Sequence, residues 1–332
     1  MTKRITGVAS AAMLCLALTS CSATSAKSDT SAKGADGLTP VTVGVLQIAT
    51  STTVQLAIDE GIFEKNGLDV SLEFGQGGAA LLPAVSSGSM DFAVGNPLSL
   101  LTAESQGLEM SILSGYSLSY ENSKDPEEFA PSALIVQEDS GIETWSDLEG
   151  KSVATNTLQT QGHLTTLARV DEDGGDSSQV EFKEIAFPDQ LAQLEQGNID
   201  AMWVPEPFLT MALNTDGTRM LGDPLRAIDD LNSMVTFSSR EFAAENPDIA
   251  KAFTDSIAEA AELAMSDEAE YVQAISDFSD MEVELVESLN LEYITAEMNP
   301  TSLHELNEIA VEYEFLDQPA DLDALINLPE DN

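Results

Sequence analysis

Short apolar runs and helical patterns alternate along the first part of the chain. Residues 41–46 are mostly Val and Leu and follow Pro40, which is typical of a buried strand. Within residues 53–65, apolar side chains recur three and four positions apart, which predicts a helix that ends near Gly67. Residues 69–74 then alternate between polar and apolar side chains, as a half-buried strand does. This alternation of strand and helix predicts an α/β fold with mostly parallel sheets.

The same alternation continues to residue 204 and is followed by a helical region. The further predicted strands are residues 91–94, 110–113, 152–155, 180–185 and 201–204, and the further predicted helices are residues 78–87, 97–106, 163–170 and 188–196. Beyond residue 240, apolar side chains such as Ile249, Phe253 and Ile257 recur at intervals of four, which predicts helices. We expect these late helices to pack back onto the first part of the fold.

A short motif occurs twice in the chain. Residues 88–94 and 197–204 both begin with Gly, two further residues and an Asp, so that Asp91 returns as Asp200, 109 positions later. The apolar strands upstream of the motif also correspond, because Val43 is matched by Val153 at an offset of 110. Such a repeat predicts two similar supersecondary units with a cleft between them.

Two similar α/β units predict two lobes that close on a ligand. We place the first lobe at residues 40–135 and 236–332, and the second lobe at residues 136–235. The apolar stretches at residues 133–136 and 234–237 are the candidates for the two hinge strands that cross between the lobes. A chain of 332 residues agrees with two domains of roughly 150 residues each.

The first 21 residues have the pattern of an export signal. Lys3 and Arg4 precede an apolar run at residues 8–18, which is shorter than the roughly 20 residues that span a bilayer as a helix. The following residues, Leu-Thr-Ser-Cys, resemble a bacterial lipobox, in which the cysteine, here Cys21, is lipidated and becomes the mature N-terminus. An ordinary signal peptide with a fortuitous Cys is the alternative. Residues 22–39 predict a flexible tether, and we expect the protein on the extracytoplasmic face of the cell membrane.

The charge of the chain limits its partners. With 58 acidic and 13 basic residues, the net charge is −45, which excludes a nucleic-acid partner and charge-based binding to anionic lipids. We therefore expect membrane contact through the lipid anchor only. The one other cysteine, Cys15, lies in the predicted leader, so the mature domain has no thiolate nucleophile or Cys-bound metal. No calcium-type loop is present, and we predict neither a metal nor a cofactor.

Polar loops follow the predicted strands, and in open α/β sheets such loops line the ligand crevice. Amides, hydroxyls and glycines dominate them. The predicted ligand contacts are Gln47, Thr50, Ser51, Gln76, Gly77, Gly78 and Asn96 from the first lobe, and Asn156, Thr157, Gln159, Trp203 and Glu206 from the second. Trp203 offers an aromatic face, and Glu206 can accept hydrogen bonds from a ligand amine. The alternatives stay open that Asn96 only caps a helix and that Glu206 only stabilises a helix start.

The predicted contact loops contain no Lys or Arg. A bare sulfonate, phosphate or nitrate would lack charge-assisted hydrogen bonds, each of which contributes about 1.5 to 3 kcal/mol. Neutral or amine-bearing solutes are therefore favoured. Tertiary folding could still bring an arginine to the cleft, and the candidates are Arg169, Arg219, Arg226 and Arg240.

Four segments together resemble the substrate-binding proteins of bacterial ABC importers. They are residues 59–70 (DEGIFEKNGLDV), 77–80 (GGAA), 147–153 (DLEGKSV) and 206–208 (EPF), and the resemblance spans residues 41–268. Within that class the chain is similar to the nitrate, sulfonate, taurine and thiamine-pyrimidine-precursor group.

The resemblance implies a two-lobed, periplasmic-binding-protein-like α/β fold of type II with a two-strand hinge. It also implies a receptor that delivers a small solute to an ABC permease and its ATPase, and we expect a monomer.

Binding without catalysis is the function that the resemblance implies. An enzyme like the thiamine-pyrimidine synthases would need a Cys-rich iron motif, and the mature domain lacks cysteine. The chain has no Gly-x-Ser-x-Gly motif, and its two histidines, His163 and His304, are predicted to pack or to lie at the surface. A ligand-sensing receptor domain shares every binding feature and stays an alternative, although it would normally carry a transmembrane or effector segment.

Overall fold

Two mixed β-sheets organise the fold of the computed structural model, in which Gly34 and residues 37–119 and 130–326 are described. The first sheet has the strand order β11-β4-β10-β3-β1-β2, and the second has the order β7-β6-β8-β5-β9. The strands of the first sheet are β1 (Thr39–Leu46), β2 (Leu68–Gly75), β3 (Phe92–Gly95), β4 (Met110–Leu118), β10 (Asn232–Ser239) and β11 (Tyr293–Ile294). Those of the second are β5 (Ser132–Gln137), β6 (Ser152–Thr155), β7 (Glu181–Glu184), β8 (Ala201–Pro205) and β9 (Thr218–Gly222).

Helices follow most strands, as the alternating pattern predicts. Those in the first part of the chain are α1 (Thr52–Asp59), α2 (Ile62–Lys65), α3 (Gly78–Ser86) and α4 (Pro97–Ser105), and those beside the second sheet are α5 (Gln161–Glu172), α6 (Phe187–Glu195) and α7 (Phe208–Leu213). The late helices are α8 (Arg240–Glu245), α9 (Pro247–Ser266), α10 (Glu268–Ser279), α11 (Val283–Val286), α12 (Pro300–Glu312) and α13 (Leu322–Leu325). The single helix predicted over residues 53–65 is divided into α1 and α2, because Gly61 adopts a left-handed φ of 65°.

The late helices pack onto the first sheet, as predicted. Phe253 of α9 is fully buried and stacks on Phe92 of β3 with 4.1 Å between ring centroids. The Phe253 ring also stacks on Phe63 of α2 with 5.8 Å between ring centroids. Aromatic pairs of this kind contribute about 0.5–1.5 kcal/mol each beyond the burial of their area. This aromatic stack joins the late helices to the lobe that the chain builds first.

The sequence repeat corresponds to one structural device used twice. The carboxylate of Asp91 accepts a hydrogen bond from the Thr42 backbone N at 2.8 Å, and the Asp91 N donates to the Thr42 carbonyl at 3.0 Å. In the second unit, the Asp200 carboxylate accepts from the Ser152 N at 2.8 Å, and the Asp200 N donates to the Ser152 carbonyl at 2.9 Å. Each Asp fixes the start of a parallel pair, β1 with β3 and β6 with β8. The two α/β units predicted from the repeat are confirmed.

The prediction of mostly parallel sheets is wrong. Of the nine strand pairs in the described part of the chain, four are parallel and five are antiparallel. All five antiparallel pairs involve β5, β10 or β11, because these strands enter their sheets after the chain has passed from the other unit or from the late helices. The local alternation of strand and helix in the sequence does not show whether a strand runs parallel or antiparallel to its neighbours in the sheet.

The two predicted hinge strands do not bridge the sheets. Residues 133–136 lie in β5, which pairs with β8 and β9 of the second sheet, and residues 234–237 lie in β10, which pairs with β3 and β4 of the first. β4 belongs to the first sheet and β5 to the second, and the chain is back in the first sheet at β10. The predicted lobe limits at residues 135/136 and 235/236 stay a prediction, and the strand pairing favours limits that precede these two strands. Within the described ranges, no helix has the length and apolar character that a membrane crossing requires.

Candidate ligand-binding site

A cavity of about 50 Å³ lies between the two sheets. From the side of the first sheet it is lined by Leu46, Ile48, Asn96, Ser233, Met234 and Glu292. From the side of the second sheet it is lined by Ser132, Asn156, Thr160, Gln161, Phe187, Trp203, Pro205 and Leu225. A site for one water molecule needs a cavity of about 10–15 Å³, so this cavity has room for a small solute. Apolar walls with a few polar groups are typical of small-molecule sites.

Three of the predicted contacts line this cavity, namely Asn96, Asn156 and Trp203. The other nine do not belong to the lining: Gln47, Thr50, Ser51, Gln76, Gly77, Gly78, Thr157, Gln159 and Glu206. Of these, the three glutamines are exposed, whereas their neighbours in sequence are often buried. Loops after predicted strands thus contribute lining residues such as Asn96 and Asn156, and which residue of a loop lines the cavity depends on tertiary packing. Ligand contact by the predicted residues stays a prediction.

The glycine pair at the start of α3 brings the two units close together. A Cβ atom on Gly77 would lie 2.8 Å from Asn156 Nδ2 and 3.0 Å from Thr157 Oγ1. The Asn156 side chain instead donates a hydrogen bond from Nδ2 to the Gln76 carbonyl at 2.8 Å. Glycine is required here for close approach rather than for its dihedral angles. The contact forms one edge of the cavity.

Asn96 both caps a helix and lines the cavity, and its contact with a ligand stays a prediction. Its Oδ1 accepts a hydrogen bond from the Ser99 backbone N at 3.1 Å, so it caps α4. It also lines the cavity.

Glu206, by contrast, has the geometry of the structural alternative. It is buried, and its carboxylate accepts hydrogen bonds from the Thr210 N at 3.0 Å, the Thr210 hydroxyl at 2.9 Å and the Asn290 N at 3.0 Å. Burial raises the pKa of this carboxyl, and the three hydrogen bonds oppose that rise. Glu206 thus stabilises the start of α7 and ties it to the segment before β11. Ligand contact by Glu206 stays a prediction.

An aromatic wall lies on the second side of the cavity. The rings of Trp203 and Phe187 meet edge to face with 5.9 Å between centroids. The Trp203 ring also packs so closely on Gly162 that a Cβ atom on Gly162 would lie 2.3 Å from Trp203 Cδ2. The ring position is therefore fixed by the backbone of α5. Trp203 Nε1 is buried and has no hydrogen-bond partner among the described residues.

Glu292 is a lining residue that sequence reasoning missed. Its carboxylate accepts a hydrogen bond from Thr50 Oγ1 at 3.1 Å, and the hydroxyls of Ser117 and Ser233 lie beside it. Burial raises the pKa of Glu292, and these hydroxyl donors oppose the rise. In the sequence it lies within a strongly acidic C-terminal region, so no pattern distinguishes it from solvated carboxylates. Thr50, a predicted contact, acts here by holding Glu292.

A second carboxylate lies directly behind the cavity wall. Asp223 is buried and accepts hydrogen bonds from the hydroxyl of the lining residue Ser132 at 3.1 Å and from the Leu225 N at 2.9 Å. Burial raises the pKa of Asp223 to about 7; the charge of Glu292 acts in the same direction, and Arg226 opposes it. Glu292 thus places one acidic group in the cavity lining, and Asp223 places a second behind it.

None of the lining residues is Lys or Arg. Arg169 pairs with Glu172, Arg219 donates to the Ile142 carbonyl, and Arg240 pairs with Glu104. Arg226 lies beside Asp223, one residue from the lining residue Leu225. The arginines that tertiary folding could have brought to the cleft thus have other partners.

His163 packs between aromatic rings and does not line the cavity. Its imidazole stacks on Phe182 at 3.7 Å between centroids and meets Phe315 edge to face at 4.9 Å. Burial lowers its pKa to about 4, so the ring is neutral near pH 7. No group of three or more His, Cys, Asp or Glu in the described part of the chain could hold a metal ion.

This chain is similar to several known proteins. A candidate aliphatic sulfonates-binding protein of Escherichia coli (strain K12) is 25% identical over 171 residues, which are 51% of this chain and 49% of that protein. The match thus spans about half the length of this relative.

Two solved structures share the fold over most of both chains. The alkanesulfonate-binding protein SsuA from Xanthomonas axonopodis pv. citri, bound to MOPS, superposes with a TM-score of 0.74 at 16% identity over 89% of this chain and 100% of that chain. The periplasmic aliphatic sulphonate-binding protein SsuA from Escherichia coli superposes with a TM-score of 0.72 at 19% identity over 88% and 93%. At these identities the similarity shows the fold alone.

The sequence profile of the family described as NMT1/THI5 like matches residues 49–270, which is more than half of the chain. This range nearly coincides with the residues 41–268 that carry the resemblance to importer binding proteins. All three relatives above are named as binding proteins, in line with the prediction that this chain binds a solute and catalyses no reaction. The chain therefore belongs to the NMT1/THI5-like family and has the two-lobed type II fold of periplasmic binding proteins.

Proposed function

We propose that this protein captures a small organic solute between its two lobes and delivers it to an ABC permease powered by a cytoplasmic ATPase. The observation that carries the proposal is the cavity between the two sheets, which receives lining residues from both. A solute in such a place contacts both lobes only when they are closed, so binding favours the closed form. A permease that recognises the closed form then distinguishes loaded from empty protein.

The chemistry of the lining favours a neutral or amine-bearing solute. The matched relatives are named for sulfonates. The present cavity, however, has Glu292 and no Lys or Arg in its lining. An anion there would face a carboxylate without a compensating cation. The solute therefore differs in charge from those in the relatives' names.

The place of action is the extracytoplasmic face of the cell membrane. The proposal rests on the export signal and on Cys21 as the lipid attachment site, both of which lie outside the described residues. One lipid-modified terminus followed by a polar tether holds the binding domain near the permease without a transmembrane helix. We propose that the protein acts as a monomer and contacts the membrane through this lipid only.

Thermal-shift screening of the mature protein tests the proposal. The panel contains pyrimidines, sulfonates, taurine, nitrate and small amines, and a solute that binds the folded state raises Tm in a concentration-dependent manner. We expect at least one compound to raise Tm and to be recovered unaltered. Chemical turnover of the bound compound would contradict the proposal in favour of an enzyme. Loss of uptake of that compound on deletion of the gene separates import from sensing.

A further inference from the structure

The hydrogen-bond acceptors around the cavity are incompletely used. Asn156 and Gln161 both line it and are only 7% and 2% exposed. Asn156 Oδ1 and Gln161 Oε1 have no hydrogen-bond partner among the described residues. A buried polar atom left in this state costs about 1–3 kcal/mol, so both oxygens indicate a missing donor.

The orientation of these two amides follows from their other hydrogen bonds. Asn156 Nδ2 donates to the Gln76 carbonyl at 2.8 Å, and Gln161 Nε2 donates to the Asn232 carbonyl at 3.2 Å. Turning either amide by 180° would place its oxygen against a carbonyl oxygen and lose the bond. The free atoms are therefore acceptors, and a partner has to supply N–H or O–H groups.

Glu292 adds a negative charge to the same cavity. The groups around its carboxylate are neutral hydroxyls: Thr50 Oγ1 donates to it at 3.1 Å, and the hydroxyls of Ser117 and Ser233, which hydrogen-bond to each other at 2.8 Å, lie beside it. No Lys or Arg of the described ranges forms an ion pair with it. Hydroxyls hold the carboxylate in place but leave its charge uncompensated. A positive charge in the cavity would compensate it.

Trp203 offers two further contacts to a ligand in the cavity. Its ring can interact with a cation through the π face. Its Nε1, a buried donor without a partner among the described residues, calls for one acceptor atom on the ligand.

We propose that the solute carries a primary ammonium group, whose N–H groups donate to the free oxygens of Asn156 and Gln161 and whose charge is balanced by Glu292. The inference rests on the proposed function and narrows its substrate class to small organic ammonium compounds with a hydrogen-bond acceptor such as a hydroxyl group. A sulfonate in this position would add oxygens to acceptors and negative charge to Glu292.

Four probes that share a hydroxyethyl group test this assignment on the unaltered mature protein. Ethanolamine carries –NH₃⁺, choline carries a trimethylammonium without N–H, ethylene glycol is neutral, and isethionate carries a sulfonate. Binding is measured by calorimetry at fixed ionic strength, because the net charge of −45 attracts cations non-specifically. We expect ethanolamine to bind at least tenfold more tightly than each of the other three. Equal binding of choline or ethylene glycol, or tighter binding of isethionate, would overturn the inference.

A matched pair of variants separates the site from the general surface charge. Glu292→Gln keeps an acceptor for the surrounding hydroxyls and removes the charge, and we expect it to weaken ethanolamine binding at least tenfold. Glu287→Gln removes the same charge from an exposed position, and we expect a change of less than twofold. Equal effects of the two variants would refute the role of Glu292.

The outcomes also separate this inference from the proposed function. If a compound of the wider panel binds and none of the four probes does, the ammonium assignment fails while solute capture stands. If no compound binds, both fail.

Discussion

At the scale of single residues, burial determines which acidic side chains near the cavity have a raised pKa. Asp223 is buried and Glu292 is half-buried, and burial raises the pKa of both carboxyls. Many other acidic residues of the chain lie at the surface, where water and salt screen their charges. Glu292 is thus the acidic residue that lines the cavity, and Asp223 lies behind the lining residue Ser132.

The pH dependence of stability reports on Asp223. Its pKa is raised from 3.8 to about 7 in the folded protein, so between these values the folded state holds a proton that the unfolded chain releases. This contribution favours folding at low pH and is lost as the pH rises toward 7, at about 1.4 kcal/mol per pH unit.

Asp223→Asn keeps the acceptor for Ser132 and Leu225 and removes the titration. From pH 5 to pH 7, the wild type should therefore lose about 2 kcal/mol more free energy of unfolding than the variant in urea titrations. Arg226 and Glu292, the charged neighbours of this carboxyl, are common to both proteins. Equal losses in the two proteins would contradict the assignment.

Fluorescence distinguishes the two tryptophans of the chain. Trp203 lines the cavity, whereas Trp145 is not among the lining residues and lies under the Arg169 guanidinium at 5.4 Å. Trp203→Phe should abolish the change in tryptophan emission on solute binding, and Trp145→Phe should retain it. An emission change that persists in Trp203→Phe and disappears in Trp145→Phe would remove Trp203 from the site.

At the scale of elements, the local sequence pattern predicts those helices and strands that are determined by residues close together in the chain. The strand predicted at residues 152–155 has these bounds in the structure, and other predicted strands and helices agree at their cores. By contrast, β9 (Thr218–Gly222) was not predicted, because three of its five residues are Thr, Arg and Gly and the alternation of a half-buried strand is absent. The antiparallel entry of β5 and β10 depends on the path between lobes. No local pattern contains that path.

The site shows the same division. Asn96 and Asn156 lie in loops that follow predicted strands, where the rule for crevice loops directs the search, and Trp203 lies within the predicted strand at residues 201–204. Glu292 and Gln161 come from a long C-terminal segment and from the first turn of a helix, where neither position marks a ligand contact. Their roles arise from tertiary contacts.

The aromatic stack on the first sheet should determine the stability of that lobe. Phe253 is fully buried between Phe92 and Phe63, so Phe253→Ala should lower the free energy of unfolding by about 3–5 kcal/mol. Phe74, which is 52% exposed, is the matched control, and Phe74→Ala should cost less than about 1 kcal/mol. Denaturant titration measures both. Similar costs for the two variants would contradict the packing described for α9.

At the scale of the whole molecule, the fold combines two α/β units with an acidic exterior. The repeated Asp device fixes each sheet internally, and the hydrogen bonds from Asn156 to Gln76 and from Gln161 to Asn232 join the two units. Hinge closure of two such units around a solute is the movement that the proposed function requires. The net charge of −45 favours solubility and disfavours binding to anionic surfaces.

The proposed membrane attachment depends on Cys21, which lies outside the described ranges. In the native host, Cys21→Ser should move the protein from the membrane fraction to the soluble or secreted fraction while the binding domain keeps its Tm. Fractionation followed by immunoblotting measures the distribution. Continued membrane attachment of the Cys21→Ser protein would contradict lipidation at this site.

Closure of the two lobes on a solute is the central claim, and a distance measurement between the lobes tests it most directly. The chain from Ser22 onward contains no cysteine, so spin labels can be attached specifically at Ala80→Cys in α3 and Asp189→Cys in α6, both exposed. Double electron–electron resonance then gives the distribution of distances between the labels. We predict that a solute which raises Tm converts a broad distribution of distances between the labels into a narrow distribution at a shorter distance. An unchanged distribution at saturating solute would contradict it.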